Sequence, residues 1–174
     1  MTYKQINYLF GWVPFWTNAF LALAAFYLTP QDFTQNAIYC YWTAAIACGA
    51  AMTSLIGFLV NDIGPRRTLF AILGQSPVLI VTFAGIYRGQ GLISNCASEP
   101  VVLLNDAATP LYFSIVTWTT VGYGDFVATE AIRLVAALEA VIGYGFFGMA
   151  VGLGTYLLST KGNKWSHTDR PAGT

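Results

Sequence analysis

Charged residues are scarce throughout this chain. Eight basic and eight acidic side chains among 174 residues make up 9% of the sequence, while 56% of it is hydrophobic. Soluble domains carry roughly 25% charged residues, so the composition excludes an ordinary soluble domain and indicates a lipid bilayer as the surroundings. The formal net charge of zero gives no electrostatic reason for a nucleic-acid partner, and we expect none.

The few charges leave long gaps between them. No acidic or basic residue occurs in four stretches: 5–31, 33–61, 68–87 and 140–160. A membrane helix needs about 20 mostly apolar residues. Four spans are therefore predicted: 7–29, 37–60, 68–87 and 130–159. The first is too long for a signal peptide and no small-residue cleavage site follows it, so we interpret it as a retained helix.

Cysteine is rare as well. The chain has three, Cys40, Cys48 and Cys96, and their spacing matches no metal site. Cys48 lies inside the second span and is expected to be a small buried apolar residue. Cys40 and Cys96 both fall on the outer side in the topology below, where an oxidising exterior permits a disulfide. Two free thiols are the prediction, and a bridge between them is the alternative.

The connecting segments indicate an orientation. Gly64-Pro65 forces a turn between the second and third spans, because proline cannot continue a helix. Arg66 and Arg67 in the same loop form the clearest basic pair of the chain, and loops rich in Lys and Arg face the cytoplasm. The N terminus and the tail at 161–174 then also lie inside, which predicts a multi-pass protein of the plasma membrane.

Residues 88–129 must all belong to the outer side, because the third span ends there and the fourth begins there. Within them, residues 110–119 are too few to cross a bilayer and too apolar for an exposed loop. A re-entrant segment resolves this conflict: a short helix enters the membrane and an extended chain returns. Thr109-Pro110 is the predicted start of that helix, with threonine as its cap and proline in its first turn.

Small residues recur every four positions in two of the spans. They are Ala45, Gly49, Thr53 and Gly57 in the second span, and Gly148 and Gly152 in the fourth. This spacing lets helix backbones approach closely in lipid, so we expect helices to pack along both stripes.

The segment TTVGYGD, residues 119–125, follows the predicted re-entrant helix. A dehydrated ion needs several oxygen ligands, and backbone carbonyls can supply them if successive carbonyls point the same way. An ordinary strand alternates its carbonyls from side to side. Aligning them requires positive φ, which glycine reaches at little steric cost. Gly122 and Gly124 therefore indicate a backbone built to hold an ion.

This segment resembles the selectivity filter of potassium channels, in which the carbonyls of TVGYG replace the hydration shell of K+. The resemblance covers residues 67–160 and is to bacterial two-span channels, here with two additional N-terminal membrane helices. It implies K+ as the permeant ion, and a homotetramer because one filter strand cannot surround an ion. The ion-binding residues that it implies are Thr120, Val121, Gly122, Tyr123 and Gly124. The side chains of Val121 and Tyr123 are expected to wedge against the pore helix.

The resemblance also implies supporting residues. Around the filter these are Thr119 and Asp125, and the residues themselves add Tyr112 and Glu139 as predicted support. Gly143 matches the hinge glycine of the inner helix. Five residues at helical spacing are assigned to the cavity and lower pore, with lipid or a neighbouring chain as the alternative: Tyr144, Phe147, Val151, Thr155 and Ser159.

Two positions depart from the bacterial pattern. Val116 stands where these channels often have a pore-helix Glu, and Tyr112 stands where they often have Trp. The pair of acids behind the filter is therefore missing, whereas the conducting backbone is intact. Tyr112 is a candidate hydroxyl partner for Asp125.

Glu139 is the only acid well inside a predicted span, and such a residue is a functional candidate. It lies nine residues beyond Glu130, about 13–14 Å into the membrane at helical rise. Its helical angle directs it to the side of the cavity face, toward the pore helix or the adjacent subunit. Ser114 and Thr117 are the expected hydrogen-bond donors, and Arg133 is a poor partner. A structural role and a role in tuning the filter both remain open.

The sequence thus predicts an all-α membrane protein with four transmembrane helices, a re-entrant pore helix and an extended filter, assembled as a tetramer. Three segments follow: 1–66, two N-terminal helices and a cytoplasmic loop; 67–160, the pore domain; and 161–174, a short cytoplasmic tail. The first three spans contain no Lys or Arg, so we expect a potassium-selective channel without a voltage sensor. A poorly selective cation channel and a non-conducting accessory subunit are the alternatives. Any partner of the N-terminal helices is left open, and no arrangement of residues suggests an enzyme.

Overall fold

The computed structural model of the protein describes residues 16, 17, 19, 20, 37–60, 64–95 and 106–168. These residues are mostly helical, and the described elements are, in order, α1 (Ala37–Val60), α2 (Pro65–Gln90), β1 (Leu92–Ser94), α3 (Ala108–Trp118), β2 (Phe126–Ala128), a 3-10 turn (Glu130–Ile132) and α4 (Arg133–Thr168). The first predicted span, 7–29, falls almost entirely outside the described residues, as do Cys96 and the side chain of Cys40.

Two of the described helical segments are long and apolar enough to cross a membrane, Pro65–Gln90 and Glu130–Thr160. A shorter apolar stretch, Tyr41–Ile56, lies within α1. The bounds of α1 are those predicted, whereas α2 is longer than 68–87 at both ends. Helix α4 continues beyond residue 160 to Thr168, so the segment predicted as a tail begins as helix.

The ends of α2 follow from glycine and proline. Gly64 has a φ of 91° and precedes Pro65, the first residue of the helix. Proline suits that position because its missing N–H would have no helical acceptor. At the other end Gly91 has a φ of 78°, and its N–H donates to the Tyr87 carbonyl at 2.8 Å. The chain then turns directly into β1.

The start of α3 differs from the prediction. Thr109 was expected to cap the helix, but it lies in the first turn, and Asp106 supplies the capping carboxylate. Asp106 accepts hydrogen bonds from the backbone N–H groups of Ala108 (2.9 Å) and Thr109 (3.1 Å) and from the Thr109 hydroxyl (2.6 Å). The Thr109 hydroxyl and these two N–H groups hold the pKa of Asp106 below its ordinary value. A carboxylate suits this position because it faces the positive end of the helix dipole.

One apolar core joins the four helices. Phe83 and Tyr87 of α2 are fully buried, and Trp118 of α3 and Phe146 of α4 pack edge to face with ring centroids 5.5 Å apart. Helix α1 enters this core through four side chains, Ala44, Ala47, Ala51 and Leu55. The core therefore fixes α3, and the segment that follows it, between α2 and α4.

The predicted small-residue stripes do not pack within the protomer. Ala45, Gly49 and Thr53 are exposed on α1, and Gly148 and Gly152 are exposed on α4. In α1 the buried alanines are instead Ala44, Ala47 and Ala51, which lie three and four positions apart. The predicted stripes face outward from the protomer, and packing of other helices along them stays a prediction.

A short antiparallel ladder is an addition to the predicted all-α fold. Leu92 pairs with Ala128, Ile93 with Val127, and Ser94 with Phe126. The ladder joins the residues after α2 to the residues after the TTVGYGD segment. Leu92 is fully buried and Ala128 is 5% exposed, which anchors the ladder in the core.

Candidate functional site

The backbone of residues 120–124 alternates in handedness. Thr120, Gly122 and Gly124 have φ values of 57°, 54° and 77°, whereas Val121 and Tyr123 do not have positive φ. When the sign of φ reverses at every second residue, every second peptide plane is flipped relative to an ordinary strand. Successive carbonyls can then point to one side, which an ordinary strand does not allow. The predicted requirement for positive φ is met at both glycines.

The positive φ of Thr120 was not predicted from the sequence. A non-glycine residue at positive φ is uncommon and costs about 1–2 kcal/mol. The neighbouring peptides are held in place by α3: the Thr120 N–H donates to the Thr117 carbonyl and the Val121 N–H to the Val116 carbonyl, each at 3.0 Å. These contacts hold Thr120 in its strained conformation.

The C-terminal end of α3 adjoins the first filter residues. Thr119 is bound to the helix through its N–H, which donates to the Ile115 carbonyl at 3.0 Å, and through its hydroxyl, which lies 2.8 Å from the same carbonyl and 3.3 Å from the Val116 carbonyl. The last turn of a helix carries a partial negative charge, which favours a cation nearby. The start of the filter therefore lies at the end of α3 that attracts cations.

The other end of the filter is held by a residue that the sequence reasoning missed. The Asn95 side-chain amide donates to the Gly124 carbonyl at 2.9 Å, and the Asn95 N–H donates to the Asp125 carbonyl at 2.8 Å. Gly124 was predicted among the ion-binding residues, but its carbonyl already accepts a protein hydrogen bond. A carbonyl oxygen has a second lone pair, so this bond weakens the prediction for Gly124 and leaves residues 120–123 as the main candidate ion ligands.

Asp125 and Tyr112, both predicted to support the filter, each contact Phe126. One Asp125 carboxylate oxygen accepts the N–H of Phe126 at 3.1 Å. The Tyr112 ring lies edge-on to the Phe126 ring with centroids 6.1 Å apart, and the bond from its hydroxyl to Asp125 stays a prediction. Tyr112 thus packs beside the outer end of the filter through its ring.

Several predicted site residues lie on open surface of the protomer. Tyr123 is 71% exposed and Val121 is 53% exposed, so neither packs against the pore helix of its own chain, and the wedge stays a prediction for the assembled protein. A single strand has too little surrounding protein to bury both side chains. The predicted cavity residues Tyr144, Phe147 and Val151 are also exposed on α4. Both surfaces are available to further copies of the chain.

Glu139 lies between three helices. It is fully buried, and its two carboxyl oxygens lie 2.5 Å from the Tyr87 hydroxyl of α2 and 2.5 Å from the Ser114 hydroxyl of α3. Ser114 was an expected partner, whereas Tyr87 was missed and Thr117 makes no such contact. Arg133 pairs instead with the exposed Glu130, at 3.7 Å.

The protonation state of Glu139 follows from comparing the number of contacts around it with the number of hydrogen atoms available to donate. The Ser114 hydroxyl also lies 2.9 Å from the Ile80 carbonyl, so three contacts need three hydrogens. The hydroxyls of Tyr87 and Ser114 supply one each. A neutral carboxylic acid supplies the third, by donating to Ser114 while Ser114 donates to Ile80. Every contact is then satisfied without a buried charge.

This count predicts the effect of substitutions at Glu139. Glu139→Gln keeps an acceptor for Tyr87 and an N–H donor for Ser114 and adds one further N–H, and we expect a melting temperature closer to wild type than that of Glu139→Leu. Glu139→Leu leaves the Tyr87 and Ser114 hydroxyls without this partner, at a cost of about 1–3 kcal/mol for each buried group. Differential scanning fluorimetry in detergent measures both.

The matched control is Glu130→Gln, which makes the same change at an acid whose side chain is 87% exposed. It should alter stability by no more than about 0.5 kcal/mol. Equal destabilisation by Glu139→Gln and Glu139→Leu would contradict the neutral acid. Single-channel records of Glu139→Gln at pH 5 and pH 8 test the tuning role separately, since identical records to wild type leave only the structural role.

Gly143 is the point where α4 comes closest to α3. A Cβ atom built on Gly143 would lie only 2.3 Å from the Trp118 carbonyl oxygen and 3.1 Å from its ring. Gly143 was predicted as a gating hinge from the resemblance. The structure gives a separate reason for glycine here, because no side chain fits between α4 and the end of the pore helix.

The elements around this segment can be compared with known proteins. Residues 76–159 match the model of a family described as "Ion channel". The match begins within α2 and ends within α4, so it contains α3, the filter segment and Glu139. Together with the two apolar helices long enough to span a bilayer, it supports a membrane-embedded ion channel. Comparisons with curated proteins and with solved structures gave no significant match.

Proposed function

We propose that the protein is a potassium-selective channel of the plasma membrane, formed by four copies of this chain around a central axis and lacking a voltage sensor. The observation that carries the proposal is the alternating backbone of residues 120–124 in the sequence TVGYG. A backbone that alternates in this way can present carbonyl oxygens in succession on one side of the chain. Such a column can replace the water of a dehydrated K+ ion.

The ion ligands in this proposal are the carbonyl oxygens of residues 120–123 and the Thr120 hydroxyl. The negative end of α3 stabilises a cation at the start of the column. The hydrogen bonds at its two ends, from the first filter amides to α3 and from Asn95 to Gly124, keep the strand extended between two fixed points.

The number of copies, four, is taken from the resemblance to potassium channels. A single strand offers oxygens from one direction, whereas a dehydrated ion needs them on all sides. The open side chains of Val121 and Tyr123, and the open face of α4 at Tyr144 and Phe147, are the surfaces that neighbouring copies and the central cavity would use. Within α1 and α2 basic residues occur only near the ends of α2, namely Arg66, Arg67 and Arg88, so a membrane-embedded row of gating charges has no counterpart there.

Reversal potentials of the purified chain test the proposal. The protein is reconstituted in planar bilayers with a tenfold K+ gradient balanced by Na+. A potassium-selective channel reverses near the K+ equilibrium potential, about 59 mV from zero. Reversal near zero indicates the poorly selective cation channel, and absence of current from an assembled tetramer indicates an accessory subunit. The subunit mass of 18.9 kDa makes a tetramer readily distinguished by native mass spectrometry.

A further inference from the structure

Asn95 contacts the outer end of the filter twice. Its side-chain amide holds the Gly124 carbonyl, at 2.9 Å, and its backbone N–H holds the Asp125 carbonyl, at 2.8 Å. The two contacts differ in one important respect. The backbone bond survives any substitution that keeps the chain in place, whereas the bond to Gly124 depends on the side chain alone.

The segment before Asn95 is anchored by strand pairing and by burial in the core. Asn95 follows β1 directly, and β1 is paired residue by residue with the strand after the filter. Leu92, at the start of β1, is fully buried. Gly91 is bonded to Tyr87, which in turn contacts Glu139. Asn95 therefore links the outer end of the filter to a segment that is anchored in the core.

The bond from the Asn95 side chain acts at Gly124, a residue whose backbone has few steric restrictions. Gly124 has a φ of 77° and has no side chain to restrict the peptide that follows it. An added Cβ would meet nothing within 4 Å, so surrounding protein of the same chain does not hold Gly124 by packing. The Asn95 amide fixes the direction of this carbonyl, which belongs to the peptide directly after the column of ion ligands.

We propose that Asn95 is a positioning residue for ion selectivity, because its side-chain amide sets the orientation of the Gly124 carbonyl and thereby the geometry of the adjoining Tyr123 carbonyl. This presupposes the channel function proposed above. Without the amide, the Gly124 peptide samples further orientations, and the outermost ion site loses the fixed spacing of oxygens that favours K+ over Na+.

Two substitutions test this. Asn95→Asp has the same shape and no N–H donor, and Asn95→Ala has neither donor nor charge. Both should lower the K+/Na+ permeability ratio by about threefold to tenfold, the factor that one net hydrogen bond is worth. The control is Glu130→Gln, at an exposed acid near the start of α4, which should leave the ratio unchanged. Bi-ionic reversal potentials give the ratio for each variant.

The outcomes are distinguishable. A ratio within twofold of wild type in both variants overturns the positioning role while the potassium channel stands. A change in Asn95→Asp alone assigns the effect to charge at the mouth and also overturns it. A lowered melting temperature with an unchanged ratio shows a merely structural contact. Wild-type protein that does not select K+ overturns the proposed function, and the role of Asn95 with it.

Discussion

Replacing Gly122 by alanine is expected to abolish potassium-selective current while leaving the chain inserted in the membrane. Gly122 has a φ of 54°, a conformation that costs an L-residue about 1–2 kcal/mol. In the proposed tetramer the penalty is borne by four filter strands at one axis. Alanine would shift each strand toward negative φ and turn the following carbonyl away from the ion column. Bilayer recordings in a K+/Na+ gradient measure the loss.

The control for this variant is Gly145→Ala. Gly145 lies within α4 with open space where its Cβ would be, so the same chemical change meets neither strain nor contact. In a helix alanine is more stable than glycine by about 1 kcal/mol, and wild-type current is expected. Potassium-selective current at the wild-type level in Gly122→Ala would remove the basis for assigning residues 120–123 as ion ligands.

Replacing Gly143 by alanine is expected to lower the melting temperature of the assembled protein and to impair its selectivity. The new Cβ would lie 2.3 Å from the Trp118 carbonyl oxygen, a backbone atom that cannot rotate away. Overpacking of this kind costs about 1–3 kcal/mol for each protomer. Because Trp118 ends α3, its displacement moves the first filter residues as well. Melting curves and reversal potentials report the two consequences.

This experiment also separates the two interpretations of Gly143. If Gly143 acts as a hinge, alanine should change the open probability with little effect on the melting temperature. If it acts as a contact, the melting temperature of Gly143→Ala should fall below that of Gly145→Ala. An unchanged melting temperature together with altered gating would reject the packing explanation.

The sequence was informative wherever a requirement is local. Apolar stretches of sufficient length predicted α1 at its observed bounds and the positions of α2 and α4, because a bilayer core demands such stretches whatever their neighbours are. The short apolar segment before TTVGYGD predicted a helix too short to span the membrane, and α3 is that helix. The need for positive φ predicted the conformation of Gly122 and Gly124, because glycine alone adopts it without strain.

The features that the sequence did not predict depend on contacts or conformations that residue type alone does not specify. Helical spacing predicted a stripe of small residues in α1, but within the protomer the buried face carries Ala44, Ala47 and Ala51 instead, because periodicity does not specify which face packs against which neighbour. Thr109 was taken as the cap of α3, although Asp106 was available three residues earlier. The positive φ of Thr120 is unusual for its residue type, so no propensity indicates it.

By itself, the sequence determined which segments are helical and which backbone forms the candidate filter, since both depend on residues adjacent in the chain. The tertiary structure alone decided the partners. Asn95 reaches Gly124 across 29 residues, Tyr87 reaches Glu139 across 52, and Gly143 meets Trp118 where two helices cross. Each partnership exists only after the helices have packed, because the free energy that fixes it comes from burial and close approach between segments distant in sequence.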